Sequence, residues 1–258
     1  MRLINNLIRK AIYSDLHEMA LVWGEAINSL NIEANKEVFS IFLDLGECLV
    51  VEDNGRVIAT ACYIPYKNVS WIGNVGVKPE YQRKGIGRRI MSELLSKIKT
   101  RSIRLDSTSA GYKLYKDLGF EEEYKTVVYD ISQVRGGEAK VSERIEDWML
   151  ELDKRAFGDD RSKLLLRIKG KVVYNEGGFG IVYRNFIGPL IAVDEYSAEQ
   201  LIRYSVSNLG VRFIITVKEE FIERLGGKKV YECIRMRKGD KVDEDRRLIY
   251  GIFRFAFG

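Results

Sequence analysis

The sequence predicts an α/β protein, a mixed sheet with helices on both faces, followed by a second half of the same outline. Three observations predict it. Up to about Ile131 the hydrophobic patterns run strand, two helices, three strands, helix, strand, helix, strand. Asn54-Gly55 between two β-rich runs marks a tight hairpin. Stretches of the second half then repeat that order.

Each element has its own signal. "NLIRKAI" reads as a strand. In "YSDLHEMALVWGEAIN", Leu16, Met19, Ala20 and Trp23 recur at helical spacing, and Asp15 with Glu18 suits a reciprocal cap. "ANKEVFSIFLDLG" is a second helix, with Gly46 as a left-handed cap. "ECLVVEDNGRVIATACYIPYK" is the hairpin, and "VSWIGNVGV" is a strand closed by Pro79. "QRKGIG" leads into the helix "RRIMSELLSKIKT". "SIRLDST", the short helix "GYKLYKDLG" ending at Gly119, and "FEEEYKTVVYDI" complete the half. "SQVRGGEAK" is polar, contains Gly136-Gly137, and reads as a linker. The expected division is 1–132, a linker at 133–140, and 141–258.

The chain has 258 residues, enough for two such halves. Its net charge of +5, from 42 cations and 37 anions, is too slight to demand nucleic acid, and basic residues interleaved with aromatics are missing. Cys48, Cys62 and Cys233 form no C-x-x-C pair. An odd count without a framework argues against disulfides and structural zinc, so the expectation is core packing and no metal. "MRLINNLIRKAIYSD" interrupts its apolar stretch with Arg2, Asn5, Asn6, Arg9 and Lys10, which is not a signal-peptide pattern. No apolar run reaches the roughly 18 residues of a membrane span. The expectation is a cytoplasmic protein with no membrane partner.

In the second half, "LLLRIKGKVVYNEGGFGIVYRN" matches the hairpin region and "FIGPLIAVDEYSAEQLIRYSVSN" matches the strand, loop and helix around Val75. "VRFIITVKEEFIERLGGKKVYECIRM" matches the stretch from "SIRLDST" onward, with Gly226 standing for Gly119. Where the first half has Gln82 to Gly87, the second has "AVDEYSAEQ", with Asp194, Glu195 and Glu199. Whatever the first loop binds, the second should not bind in that way.

The first loop reads as an anion site. A helix start carries unpaired N–H groups and partial positive charge. Gly85 and Gly87 let a ligand approach the backbone, and Arg83, Lys84, Arg88 and Arg89 add charge. G-x-x-x-x-G-K-[ST] is missing, and position 90 is Ile where a dinucleotide fingerprint needs its third glycine.

"VGVKPEYQRKGIGRRIMSELL" resembles the acetyl-CoA signature of the GNAT N-acetyltransferase superfamily, [QR]-x-x-G-x-[GA] after a strand, with Gln82, Gly85 and Gly87 at the fixed positions. "LYKDLGF" and "IRKAIYSDLHEMALVW" resemble further elements of that family, and the resemblance covers roughly residues 4 to 131. It implies a GNAT-like acyl-CoA N-acyltransferase fold with acetyl-CoA as cofactor. The backbone of Gln82, Arg83, Lys84, Gly85, Ile86, Gly87 and Arg88 would hold the pyrophosphate of coenzyme A. Val75, Gly76 and Val77 would pair with the pantetheine arm, where their strand splays from "SIRLDST". Tyr115 takes the place of the general acid for the departing thiolate. Thr108 stands where the family often has a cofactor-binding Asn. The strand ending at Val77 offers Asn74 and no acidic base; Asp106 is the nearest carboxylate, serving as base, directly or through water, or as a helix cap. His17, alone of its kind, falls in the first turn of a polar-faced helix and should be exposed.

The second half resembles the C-terminal module of tandem acetyltransferases, in "FGDDRSKLL", "EGGFGIVYRNFIGPLIAVDEYSAEQLI", "RMRKG" and "FRFAFG". Either Asp159 or Asp160 caps a helix while Arg161 pairs locally, or Arg161 or Arg235 lines an acceptor pocket. Such a module would shape the substrate cleft or dock a second copy as a homodimer. The implied function is acetyl transfer from acetyl-CoA to a primary amine, more a small molecule than a protein N-terminus or lysine. The alternative, prompted by the missing base, is a non-catalytic acyl-CoA-binding or sensor protein.

Overall fold

The computed structural model describes residues 7–28 and 31–258. The opening stretch "MRLINN", and so part of the signal-peptide reading, lies outside them. The first half contains β1 (Leu7–Lys10), α1 (Leu16–Ile27), α2 (Ile32–Leu45), β2 (Glu47–Asp53), β3 (Arg56–Pro65), β4 (Val69–Val77), α3 (Ile86–Lys97), β5 (Ser102–Ser107), α4 (Ser109–Asp117) and β6 (Glu121–Asp130). The second contains β7 (Lys140–Ser142), α5 (Asp147–Phe157), α6 (Ser162–Arg167), β8 (Lys171–Asn175), β9 (Gly178–Tyr183), β10 (Phe186–Ala192), α7 (Glu195–Leu209), β11 (Phe213–Thr216), α8 (Glu219–Arg224), β12 (Lys228–Gly239) and β13 (Ile249–Gly251). No helix among the described residues is long and apolar enough to cross a membrane.

The hairpin fixes the register of the first half. Asn54 and Gly55 both have positive φ, 49° and 77°, as a two-residue turn between twisted strands requires. Period-two alternation then sorts the sheet into faces. Cys48 and Val50 join the core beneath α1 and α2, whereas Leu49 and Val51 join Ile90, Met91 and Leu94 of α3. Along β6, Val128 packs with Met149 and Leu152 of α5, while Val127 packs with Leu201 and Ile202 of α7.

All strands belong to one sheet, in the order β1-β2-β3-β4-β5-β12-β6-β11-β10-β9-β8-β7, with β13 paired to β10. The halves exchange strands, β6 for β12. β12 lies antiparallel between β5 and β6, and β6 lies antiparallel between β12 and β11. Ion pairs cross the same seam: buried Arg104 meets Glu123 at 2.6 Å and Glu244 at 2.7 Å. The carboxylate of Asp159 accepts from the backbone N–H of Asn68 at 2.6 Å and of Val69 at 2.8 Å, holding the turn before β4. The expected linker is pinned to α7: Gly136 N–H donates to Ser207 Oγ and Glu138 N–H to Gln200 Oε1.

Three local expectations are corrected. Asp15 and Glu18 do not cap each other. Asp15 accepts from Arg9 at 2.7 and 2.8 Å and from Ile12 N–H, and Glu18 accepts from Val57 N–H at 2.7 Å, so both staple the helix start to the sheet. Gly46 is not left-handed (φ −147°); a side chain there would strike the carbonyl of Tyr63 on β3. Cys48 and Cys62 form a disulfide. They are 14 residues apart, and the hairpin register sets them directly opposite each other. Cys233 is free and buried, as expected.

Candidate active site

β4 and β5 form a fork. They pair in parallel only over Val69–Ser102, Ser70–Ile103 and Trp71–Arg104, then separate. On its other side β4 stays paired with β3 out to Val77 and Ala59, past a slip in register after Thr60. The slip centres on Asn74, which has a positive φ of 51° and a buried side-chain N–H group with no partner. The edge of β4 from Val75 to Val77 that turns toward β5 therefore meets no strand among the described residues.

The fork opens toward the start of α3. Gln82 donates from Nε2 to Val77 O at 3.0 Å, tying the loop to the end of β4. Lys84 donates to Glu80 O at 2.7 Å and lies over the ring of Tyr81. Arg83 and Gly85 both adopt left-handed conformations, φ 59° and 81°. Gly85 is the cap residue and offers no side-chain acceptor to the first N–H groups of α3. A Cβ at Gly85 would meet nothing within 4 Å, and one at Gly87 would make only ordinary contacts with Leu114 and Val77. The space above the loop is open, so internal crowding does not account for either glycine. Ile86 turns its side chain into the core and leaves only its main chain to the loop. Arg88 pairs with Asp117 at 2.7 Å.

α4 closes the far side of the fork. Thr108 caps it, accepting from Gly111 N–H at 3.4 Å. Tyr115 is buried, and its ring folds so close to Gly111 that a Cβ there would lie 2.8 Å from Cε2. Burial, and then the neighbouring Cys233, push its phenol above the usual tyrosine range.

Asp106 does not face the fork as a free base. Its side chain is fully buried and accepts from Arg235 at 2.9 and 3.2 Å and from the hydroxyl of Thr126 at 2.9 Å. Its oxygens are taken up by the guanidinium and the Thr126 hydroxyl, so neither is presented to the fork. Nor does it cap a helix. Arg235 is buried rather than facing a cleft: it lies between Asp106, Tyr124 and the face of Trp71. Burial works against its charge, but Asp106, Tyr124 and Glu244 together outweigh burial and hold the guanidinium above its usual value. Arg161 pairs locally with Asp153 at 2.8 and 2.9 Å, and Asp160 accepts from Ser162 N–H at the start of α6. His17 is exposed.

Sequence reasoning missed the part β12 plays. Because Ile234 pairs with Ser107, this strand carries Tyr231 and Cys233 past the end of β5 to Thr108 and Tyr115. Tyr231 remains exposed and packs its ring edge-on to Phe255. Burial, and then Cys233, push its phenol up to about 12, while Thr108 works the other way. Burial likewise pushes the Cys233 thiol up to about 12, with Asp106 adding to it, so the thiol stays protonated at neutral pH. No local motif announces these residues.

Comparison with known proteins decides the family. Two models described as "Acetyltransferase (GNAT) domain" match residues 44–122 and 149–251. A crystal structure from Pyrococcus horikoshii, described as a candidate acetyltransferase, is 34% identical over 100% of this chain and 98% of that one, with a TM-score of 0.93.

The chain belongs to the GNAT acetyltransferase family.

Its tandem arrangement fits both domain matches. A GNAT protein from Sphaerobacter thermophilus shares the fold at 12% identity, with a TM-score of 0.60 over 93% of this chain and 98% of that one. Among curated relatives, the uncharacterized N-acetyltransferase YitH of Bacillus subtilis is 28% identical over 58% of this chain and 60% of its own length. The ribosomal protein bS18-alanine N-acetyltransferase of Escherichia coli is 31% identical over 27% of this chain and 51% of its own length. The match thus spans about half to three fifths of those relatives.

Proposed function

We propose that the chain is an acetyl-CoA-dependent N-acetyltransferase, moving an acetyl group to a primary amine by direct attack. The observation that carries this reading is the open fork of β4 and β5 leading to an uncapped helix start beneath Gly85. A phosphate-bearing ligand with an extended amide arm matches both parts.

In this reading, the N–H groups from Gln82 to Arg88 hold the pyrophosphate, with Arg83 and Lys84 adding charge. The free edge of Val75, Gly76 and Val77 pairs with the amides of the pantetheine arm, and Thr108 contributes from the α4 side. When bound, the cofactor supplies the activated thioester. The amine attacks its carbonyl carbon and the C–S bond breaks, so no protein nucleophile is needed. Tyr115, kept protonated by burial, is the donor for the leaving thiolate. Asp106 is assigned to holding Arg235, and the amine's proton leaves through solvent at the fork. We also propose the division at 133–140, a cytoplasmic setting, and a small-molecule acceptor, although the bS18 relative acts on a ribosomal protein.

The occupied Asp106 favours a second reading, a protein that binds acyl-CoA without turning it over. Tyr115→Phe separates the two. For an enzyme, thiol release from acetyl-CoA in the presence of a panel of primary amines should slow by about tenfold or more, while acetyl-CoA affinity stays within about twofold. Thiol release equal in wild type and Tyr115→Phe would remove the acid role, and binding without turnover would favour the sensor.

A further inference from the structure

The two halves match at their forks. β4 pairs in parallel with β5 only at its start, and β10 pairs in parallel with β11 only at Phe186 and Ile187. A register slip against the neighbouring antiparallel strand follows in each, after Thr60 in β3–β4 and after Ile187 in β9–β10. Past that point the halves differ: no strand among the described residues enters the first fork, but the second holds residues 248–252.

That segment bonds to both lips of the second fork through its main chain. Ala192 N–H donates to Leu248 O at 3.0 Å, and Leu190 and Ile191 pair with Gly251 and Ile249. On the other lip, Ile252 N–H donates to Ile215 O at 2.8 Å, and Thr216 Oγ1 donates to Tyr250 O at 2.7 Å. Its side chains enter both cores, Tyr250 toward α7 and α8, Ile249 and Ile252 toward α5. The fit leaves no room: a Cβ on Gly188 would strike the carbonyl of Ile252, and one on Gly251 would lie 3.2 Å from Ile214 and Leu190. The helix start beside this fork is also satisfied, since Asp194 Oδ1 accepts from Ser197 N–H at 2.7 Å. Its counterpart in the first half is Gly85, with no side chain to give.

We infer that β13 is a built-in occupant of the second fork, lying where the first fork would receive the extended arm of an acyl carrier, so that the chain holds one acyl-CoA and its second half is closed by its own sequence. This rests on the proposed reading of the first fork as a cofactor slot. The occupant also has a downstream effect. Past β13 the chain crosses to the first half, where Trp71 Nε1 donates to Phe255 O at 2.9 Å and Tyr66 Oη to Phe257 O at 2.9 Å. Filling the second fork thus delivers residues 253–258 to the strand that forms one lip of the first.

Hydrogen exchange of the full chain, read amide by amide by NMR with and without saturating acetyl-CoA, tests the inference. In the ligand-free protein, Ala192 and Ile252 should exchange at least about a hundredfold more slowly than an unstructured chain. Acetyl-CoA should leave them unchanged, while amides of 75–77 and 85–88 slow by about tenfold or more. Free exchange at Ala192 and Ile252 without ligand, or new protection of 190–192 on adding acetyl-CoA, would overturn the inference. If acetyl-CoA slowed no amide at all, the cofactor reading of the first fork would fall. Slow exchange at Ala192 and Ile252 would even then show the second fork filled from within.

Discussion

Asp106 shows what a single residue reveals and conceals. In the sequence it is a carboxylate at the end of a strand beside the expected cleft, which is where a base would be sought. Its partner, Arg235, is 129 residues away, and no local pattern joins them. The paired geometry predicts the outcome of Asp106→Asn. Removing one member of a buried ion pair strands the other charge, at a cost of about 3–5 kcal/mol. Tm should fall by roughly 10 °C in a melt followed by circular dichroism. A general base would behave differently, losing turnover with Tm unchanged. Gly85, by contrast, was legible, because its demands are local: a positive φ and open space above a helix start.

At the scale of elements, the strands and helices of the first half were legible because each carries its own period and punctuation. Asn54-Gly55 set the hairpin, and the slip at Asn74 left the β4 edge free. Two kinds of fact were not legible. The Cys48–Cys62 bond depends on register, which a count of cysteines does not contain. The place of β12 depends on pairing between halves, and nothing within "KKVYECIRMRKG" says that it will lie beside β5. That placement predicts that residues 1–132 will not fold alone. Without β12, β5 loses its antiparallel neighbour and β6 is cut off from the sheet, leaving long bare edges that invite aggregation. Expressed alone, this fragment should be insoluble or lack cooperative melting, and co-expression with 133–258 should restore both. A fragment that melts cooperatively by itself would mean that the exchange is dispensable.

Across the whole molecule, the two GNAT-like halves hold two forks with opposite fates. One has a bare strand edge, a left-handed glycine and a cationic loop. In the other, β13 fills the fork and Asp194 caps the helix. The sequence showed half of this contrast, since "AVDEYSAEQ" had already lost the glycines and cations; the filling strand, Ile249–Gly251, comes from far along the chain and could be found only in three dimensions. The second half contributes β12, Tyr231 and residues 253–258 to the first, and in the proposed reading both serve one site. The most direct measurement is calorimetric titration of the full chain with acetyl-CoA, beside Gly85→Glu, which adds bulk and negative charge at the helix start. The account predicts one site per chain in the parent and no measurable binding in a variant that still melts cooperatively. Two sites per chain, or a variant that binds as tightly as the parent, would contradict it.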